Sequence, residues 1–218
     1  MAIAFDLDGT LVDTEQYKAQ SHEEAIRYFG GKSSMELYYQ LIGNSFEYVF
    51  KEFKKQAGIE VSLSNYKNIF NQIYLEKLNH NIKIGNCVHD FLEKIYVNNI
   101  NIALVTSSEM WAMNLIINKV EIKKYFKVLI SGDDVIHKKP DPEPYQKAIK
   151  YLKVKKTFVF EDTEPGIISA NRAGAYTFGI KNKYNSINDL KQSQRIYNSF
   201  EEVDLGDIIF LSKNSAKK

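Results

Sequence analysis

Ala2-Ile3-Ala4-Phe5-Asp6-Leu7-Asp8-Gly9-Thr10-Leu11-Val12-Asp13 decides the fold. Four apolar residues run straight into two acids and a Gly-Thr. A short run that is apolar on both faces reads as a buried parallel strand, here Ala2–Asp6. Four further runs repeat the pattern downstream: Asn101–Thr106, Lys127–Ser131, Thr157–Phe160 and Tyr176–Ile180. A short sixth strand is expected at Ile208–Leu211. Helix signals lie between them. Ser108 is placed to N-cap a helix through about Asn118, and Asp141-Pro142 opens one through Leu152. Pro165 opens another that Ala173-Gly174 closes. Strand–helix alternation from residue 84 onward predicts a doubly wound α/β parallel sheet with a Rossmann-like plan.

The stretch 15–82 reads differently. Ala19, Ala25, Ile26 and Phe29, then Leu37, Tyr38 and Leu41, fall at helical spacing. So do Val49, Phe50 and Phe53, and then Ile69, Ile73, Tyr74 and Leu78. Gly30-Gly31, Gly43 and Gly58 punctuate three or four helices. The expected organisation is a core of residues 1–14 and 83–218, interrupted after its first strand by a small α-helical domain, 15–82.

Ligands of open α/β sheets bind beyond the carboxyl ends of the strands. Those ends carry Asp6-Leu7-Asp8-Gly9-Thr10, Thr106-Ser107-Ser108 and Glu161-Asp162-Thr163, and the loop after the third strand carries His137-Lys138-Lys139-Pro140. Clustered acids repel unless a cation sits among them. An all-oxygen carboxylate set suits Mg²⁺, which keeps waters and bridges to phosphate. Lys139 is placed to meet a negative substrate and Thr106 to donate a hydrogen bond to it. These parts suit phosphoryl transfer, with a carboxylate nucleophile and a second carboxyl two residues on as acid and base.

At this point the sequence resembles the haloacid dehalogenase superfamily. Asp6 to Asp13 looks like its first motif, Leu104-Val105-Thr106-Ser107-Ser108 its second, and Lys139-Pro140-Asp141-Pro142-Glu143-Pro144-Tyr145 its third. Phe160-Glu161-Asp162-Thr163-Glu164-Pro165-Gly166, continuing to Ala173-Gly174, looks like its fourth. The resemblance covers residues 2 to about 180. It implies Asp6 as nucleophile, Asp8 as acid and base, and Thr106, Ser107 and Lys139 as phosphoryl-binding residues. It implies Mg²⁺ held by the Asp6 carboxylate, the Asp8 backbone carbonyl and the Asp162 carboxylate, with Glu161 as a further ligand or an anchor behind the ligands. The helical insert falls where the family's α-helical cap sits, which closes over the pocket and chooses the substrate.

The group it resembles holds the phosphoglycolate phosphatases and β-phosphoglucomutases. The two-Asp first motif fits phosphate chemistry rather than dehalogenation. Lys18 stands where the mutase has a His, and Phe46 where it has a sugar-phosphate-gripping Arg, so the expected activity is a phosphatase for a small phosphorylated metabolite. A mutase is the first rival, and a non-catalytic protein that keeps an acidic pocket the second.

Composition narrows the rest. Twenty-nine basic against 27 acidic residues leave +2, too little excess for a dedicated nucleic-acid binder. Cys87 is alone, which excludes a disulfide framework and fits a reducing cytoplasm. The start of the sequence lacks a signal-peptide pattern, and no apolar run approaches the ~20 residues of a membrane span. The expected partners are therefore a small phosphate ester, with no nucleic acid and no membrane, and the expected state is a monomer or weak dimer. Asp13 reads equally as a pocket residue or a helix cap. His22, His80, His89 and His137 show no metal-ligand spacing and read as structural or exposed. The polar tail, Ser212–Lys218, reads as frayed.

Overall fold

The computed structural model describes residues 1–80 and 82–214. Within them the chain divides into two compact units, Met1–Val12 with the described residues from Ile84 onward, and the described residues of Asp13–Lys83.

The first unit is built on six parallel strands in the order β5-β4-β1-β6-β7-β8. They are β1 (Ala2–Phe5), β4 (Asn101–Val105), β5 (Val128–Ile130), β6 (Thr157–Glu161), β7 (Tyr176–Ile180) and β8 (Arg195–Tyr197). Two more, β2 (Val12–Asp13) and β3 (Lys83–Ile84), pair with each other at the two chain crossings. β1 lies between β4 and β6, with Phe5 opposite Leu104 and Phe160.

Alternation along the strands separates two cores. Ala2, Ala4, Ala103, Val105 and Val159 share one with Tyr145, Ala148 and Leu152 of α7 (Glu143–Leu152) and Ala170 of α8 (Glu164–Arg172). The large rings point the other way. Phe5 stacks on Phe160 at 5.1 Å and meets Phe91 of α5 (Val88–Val97) edge-on at 6.1 Å, and Phe200 at 6.0 Å. Offset and edge-to-face pairs of this kind each add about 0.5–1.5 kcal/mol beyond their buried area. The same alternation turns Glu161 toward α7 and α8, because it follows Val159 by two residues.

All five longer runs form strands within a residue of the expected ends. The third, Lys127–Ser131, contracts to Val128–Ile130. Ile208–Leu211 is not a strand. It lies inside the last helix, Leu205–Asn214, where Leu205 and Ile208 are the buried pair, and the sixth strand is β8 instead. The expected frayed tail is helical through Asn214, and its last four residues lie outside the described region. Asp141-Pro142 does not start the helix, which begins at Glu143 with Asp141 Oδ1 accepting from Glu143 N at 2.9 Å. Ser108 is not a cap either. α6 spans Met110–Lys119, and Asp133 caps it from another loop by accepting from Met110 N at 2.7 Å. Among the described residues, no helix is long and apolar enough to cross a membrane.

The second unit holds α1 (Glu15–Tyr28), α2 (Met35–Leu41), α3 (Phe46–Ala57) and α4 (Leu63–Leu78). Asp13 belongs to β2, and Thr14 takes the N-cap position of α1. The unit's core is aromatic and centred on His22. Phe70, Phe53, Tyr38 and Phe46 stand 4.4–5.5 Å from its ring, and Tyr66 bonds Nδ1 at 2.9 Å. Burial, helped by nearby Lys18, lowers the His22 pKa from 6.5 to about 3, so it is a neutral core residue. Tyr38 donates at 2.7 Å to buried Glu15, which also accepts from Lys18.

Candidate active site

The site is assembled at the carboxyl ends of β1, β4 and β6, from segments far apart in sequence. The β1 loop turns sharply: Gly9 N donates to Val12 O at 2.8 Å, and Gly9 holds φ +84°. A Cβ there would be strained and would stand 2.2 Å from Asp162 Oδ2. Only glycine lets the β1 and β6 loops approach this closely.

Asp6 follows β1, and its backbone N–H is held by Phe160 O at 3.0 Å. Its Oδ1 accepts from Lys139 Nζ at 2.7 Å. The same ammonium donates to Glu161 Oε1 at 2.7 Å and to Val105 O at 2.9 Å, and lies over the Tyr145 ring. Burial pulls this lysine down, but Asp6 and Glu161 outweigh it and hold Lys139 above the ordinary lysine value. Burial pushes the Asp6 carboxyl up, the ammonium of Lys139 pulls it down, and the neighbouring Glu161 and Asp8 push it up as burial does.

Asp8 faces a different set. Its Oδ2 accepts from Ser108 Oγ at 2.8 Å and Thr106 Oγ1 at 3.1 Å, while Thr106 Oγ1 accepts from Ser108 N at 3.0 Å. Ser107 between them is exposed.

Glu161 is completely buried and heavily bonded. Tyr145 donates to Oε1 at 2.7 Å, and Oε2 accepts from Asp162 N at 3.2 Å and Thr163 Oγ1 at 3.2 Å. Asp162 is held on both oxygens, by Thr10 Oγ1 at 2.8 Å on Oδ1 and by Asn182 Nδ2 at 2.8 Å on Oδ2. Asp6, Glu161 and Asp162 each offer a carboxylate oxygen, all within 4.8 Å of one another.

Asp6, Asp8, Thr106, Lys139, Glu161 and Asp162 therefore converge. Ser108, expected as a helix cap, joins them, as do Tyr145 and Asn182. Tyr145 ends the third motif, whose resemblance implies no role for it. Asn182 and Asn185 sit in a turn-forming Lys-Asn-Lys-Tyr-Asn-Ser segment after β7. Its position at a strand's carboxyl end was the available signal. His137 is exposed, and its backbone N–H donates to Glu143 at 2.8 Å.

The sequence pattern of the haloacid dehalogenase-like hydrolases matches residues 3–180, and the chain belongs to that family. A phosphorylated carbohydrates phosphatase of Thermotoga maritima is 29% identical over 175 residues, covering 79% of this chain and 81% of its own. The pyrophosphatase PpaX of Oceanobacillus iheyensis is 26% identical over 98% of this chain and 97% of its own. Among solved structures, a family hydrolase (family IA, variant 3) from Entamoeba histolytica superposes with a TM-score of 0.84. It is 27% identical and covers 98% of this chain and 99% of its own.

Proposed function

We propose that the protein is a Mg²⁺-dependent phosphatase that hydrolyses a small phosphate monoester through an aspartyl-phosphate on Asp6. The observation that carries this reading is the placement of the two aspartates. Asp6 shares Lys139 with Glu161, while Asp8, two residues on, is turned to a separate hydroxyl pair. The two carboxyls of one loop therefore work in different surroundings, as a nucleophile and an acid–base pair must.

Lys139 holds Asp6 Oδ1 and leaves Oδ2 to attack phosphorus. The bond from phosphorus to the ester oxygen breaks, and protonated Asp8 gives its proton to that oxygen. Asp8, now a carboxylate, takes a proton from water as the water oxygen attacks phosphorus. The bond to Asp6 breaks, phosphate leaves, and both aspartates return to their starting state. Thr106, Lys139 and the backbone N–H groups of the Leu7-Asp8 and Ser107 segments hold the phosphoryl oxygens.

The donor set fits a hard divalent cation: the three clustered carboxylates of Asp6, Glu161 and Asp162 offer oxygen alone, and the one ammonium beside them leaves net negative charge. Asp6 and Asp162 would hold it, with the Asp8 carbonyl. Glu161, committed to Lys139, Tyr145 and Thr163, serves as the anchor behind them. When bound, Mg²⁺ supplies charge neutralisation of the phosphoryl group. We propose the family's division of labour for the two units, with chemistry in the α/β unit and substrate choice in the helical insert. The substrate class rests on the relative named as a phosphatase of phosphorylated carbohydrates.

The test is phosphate release from a panel of sugar phosphates, phosphoglycolate, nucleotides and pyrophosphate, with Mg²⁺ and with EDTA. Release is expected with Mg²⁺ alone and absent in Asp6→Asn. An active Asp6→Asn enzyme would refute the mechanism. Isomerised sugar phosphate without net release would turn the reading to a mutase.

A further inference from the structure

The segment after β7 carries no part of the four motifs and lies just beyond the residues that match the family, yet it reaches into the site. Asn182 Nδ2 donates to Asp162 Oδ2 at 2.8 Å and to Gly9 O at 3.0 Å. Its Oδ1 accepts from Tyr184 N at 2.8 Å and Asn185 N at 3.1 Å. Two backbone N–H groups on one end of the amide and two oxygens on the other fix which end is which. All four bonding positions of the side chain are in use.

Asn185 completes the turn. It accepts from Asn182 N at 3.1 Å, and its Nδ2 donates to Asp162 O at 2.8 Å and Ile180 O at 2.9 Å. Asn182 therefore grips the Asp162 carboxylate, and Asn185 its main chain.

From these contacts we infer that Asn182 is a positioning residue that sets the Asp162 carboxylate for divalent-cation binding. The inference rests on the functional reading above. A carboxylate swivels about its last bond unless both oxygens are held. Thr10 holds Oδ1 from the β1 loop and Asn182 holds Oδ2 from the β7 loop. Both donors are neutral, so they orient the group without cancelling its charge. By also bonding Gly9 O, Asn182 ties the loop that follows Asp8, whose carbonyl is a second proposed ligand, to the same point. Outer donors of this kind typically govern 10–100-fold in metal affinity.

The decisive variant is Asn182→Ser. A serine hydroxyl can still accept from the turn's N–H groups but cannot span to Asp162. Asn185→Ala is the control, because it loosens the turn and leaves the Asn182–Asp162 contact to the amide itself. Mg²⁺ affinity is measured by calorimetry without substrate, beside melting temperature in EDTA and KM and kcat for the best phosphoester. Asn182→Ser should raise the Mg²⁺ Kd at least tenfold. Its kcat at saturating Mg²⁺ should stay within about threefold, and its KM should be unchanged. Asn185→Ala should weaken Mg²⁺ less than threefold, whatever its loss in melting temperature.

An Asn182→Ser Kd within twofold of wild type overturns the inference, and so do equal Mg²⁺ losses in both variants that follow their losses in melting temperature. Wild-type protein that releases phosphate without binding Mg²⁺ refutes the metal reading, and the role of Asn182 falls with it.

Discussion

Gly166→Ala sets two physical effects against each other. Gly166 is the third residue of α8, and alanine is favoured over glycine in a helix by about 1 kcal/mol. On propensity alone the variant gains stability. The structure argues the reverse, because the new Cβ would stand 2.0–2.1 Å from three atoms of the Glu161 carboxyl. Ordinary contact between such atoms is about 3.5 Å, so the overlap is near 1.5 Å. A flexible side chain would swing aside at little cost, but this one is pinned by Lys139 and Tyr145 at 2.7 Å each and by Thr163. Moving it strands a buried ammonium and a buried phenol. Breaking a buried pair on one side costs about 3–5 kcal/mol. Subtracting the helix gain leaves a net loss of about 2–4 kcal/mol, or about 4–16 °C in melting temperature for a chain of this size. The assay is thermal and urea unfolding in EDTA, which removes any stabilisation by bound metal. The same substitution is then made in an Glu161→Ala background, where there is no carboxyl to collide with and the helix preference should prevail. A neutral or stabilising Gly166→Ala in the wild-type background would refute the reasoning, as would a penalty that survives unchanged without Glu161.

Other perturbations probe the rest of the molecule. His22 binds a proton below pH 6.5 in the unfolded chain but only below about 3 in the folded one. Its contribution to stability is complete above pH 6.5 and is lost as pH falls toward 3, by about 1.4 kcal/mol per pH unit. His22→Phe should flatten that slope in acid unfolding, and an unchanged slope would place the titration elsewhere. Lys139→Ala should lower phosphate release by at least ~10²-fold and destabilise the metal-free protein by about 3–5 kcal/mol, as two buried carboxylates lose their shared cation. Kinetics and unfolding in EDTA check both. Ser108→Ala removes one of two hydroxyls on Asp8 and should reduce kcat about tenfold with KM unchanged, measured by steady-state phosphate release.

Much of the fold was legible because a parallel strand buried on both faces has no polar alternation to dilute its signal. Ala2–Phe5 and Tyr176–Ile180 stand out for that reason. β8 does not: Arg195 and Ile196 are exposed at the sheet edge, and three residues with one apolar centre carry no pattern. Ile208–Leu211 misled because four consecutive apolar residues suit a strand and a helix alike, and only the buried Leu205 and Ile208 reveal the helical spacing. Within the site, Asp6, Lys139 and Asp162 were legible because their chemistry is written in charge. Ser108 reads as a helix cap because a hydroxyl before a helix ordinarily caps it. A distant Asp133 takes that task and leaves Ser108 to Asp8, which no local rule reveals. Asn182 was missed because its partners lie 20 and 173 residues away in sequence.

The central place of β1 has a consequence for biosynthesis. Its two neighbours begin at Asn101 and Thr157, and Thr10 meets Asp162 across 152 residues. At about 5–20 residues per second, a ribosome needs roughly 8–30 s to deliver the second of those neighbours after the first strand has been made. The helical insert is complete long before that. Until Asn101–Val105 is made, Ala2-Ile3-Ala4-Phe5 is an apolar strand with both edges unpaired, and until Thr157–Glu161 is made one edge still lacks its partner; non-local pairing of this sort is slow and exposed to aggregation. Substitutions that weaken β6 should therefore lower the yield of folded protein in cells more than they lower its stability once purified.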